Sequence, residues 1–147
     1  MISAYCYYYR KAICDHANMI ADLIAIFIGS GLGGVCRYLV SKAVQSHVAE
    51  YGMFPWGTLA VNVSGCLLIG LFYGLFDRLC PEGCISQQLR LFLTVGFCGG
   101  FTTFSTFINE NYILFQSSDI LMLLGYIALS LTIGFVMLYL GYAVTRI

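Results

Sequence analysis

Charge is scarce along this chain. Only 10 % of its 147 residues are Asp, Glu, Lys or Arg, against about 25 % in ordinary soluble domains. With 60 % hydrophobic residues, the chain falls in the membrane class. Its basic and acidic residues balance at 7 each, so it lacks the electrostatic footprint of a nucleic-acid binder. Proline occurs only twice; Pro55 and Pro81 both stand in connections and interrupt no apolar run. No phosphate-binding loop is present. Cysteine is plentiful at 7, but not as a disulfide scaffold. Cys36, Cys66 and Cys98 lie inside apolar runs, where free cysteine behaves as a small hydrophobe. Cys80 and Cys84 bracket Pro-Glu-Gly in a loop, and no second pair or nearby histidine supports a metal there.

A bilayer core about 30 Å thick takes about 20 apolar residues in helix. Four stretches qualify: about 20–44, 57–75, 89–115 and 120–144. The expectation is an all-α membrane protein with function inside its spans, because no long loop or soluble domain is left over. Residues 1–18 are too polar to span and lack the apolar core of a signal peptide. Met19 then reads as the true start, with 1–18 an N-terminal extension and 19–147 a four-helix transmembrane domain; the alternative is an interfacial arm carrying the aromatic cluster Tyr5, Tyr7, Tyr8 and Tyr9. From Met19 on, Arg78, Arg90 and Arg146 lie on one side, and Lys42 with Arg37 on the other. So slight a bias predicts insertion both ways up; Arg10 and Lys11 would tilt it.

Small residues four apart, Gly29/Gly33, Ser30/Gly34, Gly70/Gly74 and Gly96/Gly100, predict close helix contacts. Four short helices do not enclose a hydrated path alone, which predicts a homo-oligomer.

Polar groups inside a membrane are expensive and point to function. Span one carries Arg37, which could snorkel to the interface. Span two carries Thr58 and Asn62, four apart on one face. Span three carries "GGFTTFSTFINE", with Thr102, Thr103, Ser105, Thr106, Asn109 and Glu110. Span four carries Tyr126, Ser130 and Thr132. Asn, Thr, Ser and Tyr all supply hydrogen-bond donors, and spans one, two and four hold no mid-membrane carboxylate. That inventory suits a small anion better than a cation. Ring edges of Phe104 and Phe107 are also electropositive. Gly99-Gly100 predicts a break in the third helix, since glycine weakens a helix by about 1 kcal/mol relative to alanine. Carbonyls freed at a break need partners, and a cation is one.

Together, "GGVCRY", "GTLAVNVSG" and "GGFTTFSTFINE" resemble the motifs of the bacterial fluoride channels, the Fluc or CrcB family, from about Met19 to the C-terminus. The resemblance implies a dual-topology antiparallel homodimer with two fluoride pores in the bacterial inner membrane. It implies a structural sodium ion held by the backbone carbonyls of Gly99 and Thr102. Phe104, Phe107 and Asn62 fall on the pore positions, Arg37 and Glu110 on the vestibule. Thr58, Tyr126 and Ser130 join the fluoride path. One turn beyond Ser130, where a hydroxyl belongs, stands Gly134. Such a protein is not an enzyme. HF crosses membranes neutral and dissociates inside; a passive channel lets the membrane potential drive trapped fluoride out. The alternative is a small four-helix drug exporter, which relies on an embedded glutamate in its first span. Here that span has only Asp22, at its end.

Overall fold

The computed structural model describes residues 2–48, 54–79 and 85–146, with side chains from residue 18 onward. The Cys80/Cys84 pair and the tyrosines near the N-terminus lie outside the described side chains. The described chain is helical. Helix α1 is Ile2–His47 and α2 is Trp56–Leu79. Helix α3 covers residues 87–101: an α-helical turn Gln87–Leu91, a π-helical stretch Phe92–Cys98 and a last turn Gly99–Phe101. Helix α4 is Phe104–Gln116 and α5 is Ile120–Val144.

Four helical stretches are long and apolar enough to cross a membrane: Asn18–His47, Trp56–Leu79, Gln87–Gln116 and Ile120–Val144. Each agrees with its expected span to within four residues. Helix α1 continues unbroken through Met19. Its 46 residues would reach roughly 69 Å at 1.5 Å each, about twice what a bilayer core needs.

The glycine pairs explain the packing. A methyl group on Gly29 or Gly33 would collide with the α3 backbone at Phe92 and Phe97, and one on Gly100 would meet Ser30. Gly29 and Gly96 back directly onto each other. On the other side of the bundle, Gly70 and Gly74 admit the backbone of α5 at Leu138 and Tyr142, and Gly141 answers against Leu67. Gly34 meets nothing within 4 Å, so the Ser30/Gly34 pair contributes only through Ser30.

The ends are pinned by polar ties. At the start of α3, the Gln87 and Gln88 side-chain amides donate to Asp22 at 2.7 and 3.0 Å. Arg78 donates to the Thr145 carbonyl at 3.1 Å. The turn into α5 passes through Ser118 in the left-handed region (φ 60°). Asp119 then caps α5 by accepting from the Met122 N–H at 3.2 Å, as Asp does at helix starts.

The third span is broken, as expected, but not at its glycines. Gly99 is helical (φ −65°, ψ −37°), and Gly100 continues the helix. The departure falls at Thr102 (ψ 157°) and Thr103 (φ −147°, ψ 117°). The reason is chemical. Gly100 serves close approach to α1, while an amide on α2 and the Thr103 cap just before α4 take over the hydrogen bonds that the helix gives up.

Candidate functional site

Asn62 makes the break possible. Its Oδ1 accepts from the Thr103 N–H at 2.8 Å, and its Nδ2 donates to the Thr103 carbonyl at 3.1 Å. A side-chain amide has two donor protons, so one remains for another acceptor. Thr103 in turn caps α4: its Oγ accepts from the Thr106 N–H at 3.3 Å. In a continuous helix the Thr103 N–H would serve the Gly99 carbonyl, and the Thr106 N–H the Thr102 carbonyl. Both donors point elsewhere, so these two carbonyls have lost their helical partners.

Around the break lies a cavity of about 400 Å³, lined among others by Asn62, Gly99, Thr102, Phe104, Phe107 and Ser130. The two phenylalanines stand 6.1 Å apart between centroids. Phe104 is 75 % exposed on this chain and Phe107 only 8 %. Phe107 lies against Tyr126, with ring centroids 5.0 Å apart. The buried Ser130 hydroxyl has no hydrogen-bond partner among the described residues, and Ser130 lines the same cavity.

Tyr126, Thr58 and Glu110 form one cluster. Thr58 donates to Glu110 Oε1 at 2.6 Å and Tyr126 to Oε2 at 2.9 Å. The carboxylate thus engages two hydroxyls that the sequence reading gave to the anion path. Glu110 itself borders a small recess of about 220 Å³ with Gln45 and Pro55.

A larger recess of about 620 Å³ opens where α1 ends and α2 begins. Arg37 and Lys42 line it, with Thr58, Thr103 and Thr106 on its floor. Arg37 is therefore placed at a wide polar mouth that borders the break. Among the described residues no three His, Cys, Asp or Glu side chains gather as a metal site.

Thr103 escaped the sequence reading, which grouped it with the other hydroxyls. The signal was present: Thr is a good N-cap, and the Thr103–Thr106 spacing is that of a cap. Phe54 was also missed. It packs edge-on against Tyr126 at 5.3 Å, and nothing in a loop phenylalanine before "PWG" marked it.

Four apolar spans, the third broken beside a cavity lined by Asn62, Ser130 and two phenylalanines, define a multi-pass membrane protein. Residues 24–142 match the family described as "CrcB-like protein, Camphor Resistance (CrcB)". The chain belongs to this family; residues 1–23 and 143–147 lie outside the match. Among its relatives, a fluoride-specific ion channel FluC of Flavobacterium psychrophilum is 41 % identical over 121 residues, covering 82 % of this chain and 94 % of the relative. One from Bacteroides fragilis is 46 % identical over 114 residues, 77 % of this chain and 87 % of the relative. One from Phocaeicola vulgatus is 44 % identical over 120 residues, 82 % and 94 % respectively.

Proposed function

We propose that this chain is a passive, fluoride-specific channel of the bacterial membrane that lowers cytoplasmic fluoride. The observation that carries the reading is the cavity at the break in the third span. It is lined by Asn62, which has an amide proton unused by Thr103, by Ser130, whose hydroxyl has no partner among the described residues, and by Phe104 and Phe107. Oriented donors of this kind replace the hydration shell of a small anion. The curated relatives carry fluoride channel in their names.

The finer reading is an antiparallel dual-topology homodimer with a structural sodium ion. The Gly99 and Thr102 carbonyls support it, because each has lost its helical donor and carbonyls without partners cost several kcal/mol in the membrane interior. Carbonyl oxygens without a carboxylate suit a hard monovalent cation. Bound there, such an ion would neutralise the carbonyl dipoles and fix the break. Phe104, mostly exposed on one chain, gains a cover in a pair.

The test is fluoride efflux from liposomes, read with a fluoride electrode, beside identical liposomes loaded with chloride. Rapid fluoride loss with chloride retained is the expected result. Equal loss of both ions would overturn the selectivity. Efflux that needs an imposed proton gradient and an organic cation would favour the exporter class.

A further inference from the structure

Two thiols share the cavity with the proposed fluoride path. Cys66 stands four residues beyond Asn62 on α2, and Cys98 four residues before Thr102 on α3. Residues four apart on a helix share a face, so each thiol lies one turn from a residue at the break. Both line the same cavity of about 400 Å³, one from each helix. Cys66 is half-buried and free, and Cys98 is free and 2 % exposed. The Cys66 sulfur also fills an unusual place. Beyond Ser130 on α5 comes Gly134, and a Cβ there would lie 3.4 Å from Cys66 Sγ. The thiol therefore stands where the polar line of α5 lacks a side chain.

We propose that Cys66 and Cys98 form a two-thiolate site for a soft, linear two-coordinate metal ion, and that occupancy closes the fluoride path. The second half rests on reading this cavity as that path. Soft thiolates select soft metals, and ions that accept two ligands in line, such as Hg(II), need no third. Borderline and hard divalent ions do, and among the described residues no third His, Cys, Asp or Glu stands with the pair. Binding HgCl₂ forms two S–Hg bonds. Two chlorides leave, each thiol gives its proton to water, and mercury stays Hg(II), so no oxidant is required. Half-buried Cys66 is reached first; Cys98 then closes the bridge from the opposite helix. A bridged ion would tie α2 to α3 one turn from Asn62.

The experiment uses the full chain with Cys6, Cys14, Cys36, Cys80 and Cys84 changed to Ser, so that only the proposed pair remains. HgCl₂ and methylmercury chloride are the probes. Sulfur-to-mercury charge-transfer absorbance in detergent reports the bond and its stoichiometry; liposome efflux reports the path. Expected are one Hg(II) per chain with a two-thiolate spectrum and at least tenfold slower fluoride efflux, reversed by dithiothreitol. Cys66→Ser or Cys98→Ser alone should weaken Hg(II) binding at least tenfold. Methylmercury, with one free coordination position, should bind without the two-thiolate spectrum. Binding equally tight in either single variant, or block that persists when both cysteines are Ser, would overturn the site. A bridged metal with undiminished efflux would overturn the blocking. A failure of the channel reading is separate: fluoride efflux would be absent before any metal is added.

Discussion

Asn62 holds two tasks in one side chain, and substitution separates them. It pairs with both the N–H and the carbonyl of Thr103, and its second amide proton is the one assigned to the proposed path. Asn62→Ala removes a donor whose bond to a charged partner is worth about 1.5–3 kcal/mol. About 1.36 kcal/mol is tenfold in rate, so fluoride efflux should slow by roughly tenfold or more. Asn62→Asp should be worse, since its carboxylate faces both the anion and the Thr103 carbonyl. Efflux from the Asp variant equal to wild type would dismiss the donor role. The phenylalanines divide in the same way. Phe107 is buried against Tyr126, so its loss mixes packing with function. Phe104 is exposed on the chain, and exposed substitutions usually stay within about 0.5 kcal/mol of stability. Phe104→Ile should therefore keep the fold and slow efflux sharply, because isoleucine keeps bulk and lacks the ring's electropositive edge. Unchanged efflux would reduce this ring to lipid or partner contact. Tyr126→Phe bears on Glu110. It leaves Oε2 without its donor, with Thr58 alone still bonded, and should destabilise the chain by about 1.5–3 kcal/mol, read as a lower melting temperature in detergent.

At the scale of elements, the four spans were legible because a membrane demands length and apolarity and the chain has little else. The break was legible in kind and misplaced by three residues. Gly99-Gly100 was read for backbone freedom, yet Gly100 instead answers the close contact expected of the Gly96/Gly100 pair, with α1 against both. The true agent is an amide 41 positions away from Thr103, and a single sequence does not display that pairing. The partnership of Glu110 with Thr58, across 52 positions, was hidden likewise. Thr103→Ala tests the cap. Losing a Thr N-cap costs about 0.5–2 kcal/mol, so the melting temperature should fall while the helix content by circular dichroism stays. Thr103→Ser keeps an acceptor oxygen and should recover most of the loss. A Ser variant as unstable as the Ala variant would assign the effect to packing.

For the whole molecule, Gly99 decides between a chain that acts alone and one that acts in a pair. A Cβ placed at Gly99 meets nothing within 4 Å among the described residues, and its backbone is ordinary right-handed helix. Within one chain, then, Gly99→Leu should be harmless to folding, and leucine even favours helix over glycine by several tenths of a kcal/mol. In an antiparallel pair closed on the break in the third span, the same leucine lands in the seam beside the carbonyls of Gly99 and Thr102. The Gly99→Leu chain should therefore keep its helix content, run as a monomer in detergent by light scattering, and lose both fluoride efflux and its stabilisation by sodium over a large organic cation. Thr102→Val is the control. Its hydroxyl only returns to the Cys98 carbonyl at 2.9 Å, and its methyl against Gly65 is retained by valine. The proposed ligand is the main-chain oxygen, so this variant should keep dimer, sodium effect and efflux. A dimeric, conducting Gly99→Leu protein would remove the break from the interface. A Thr102→Val protein that loses the sodium effect would move the ligand from backbone to side chain.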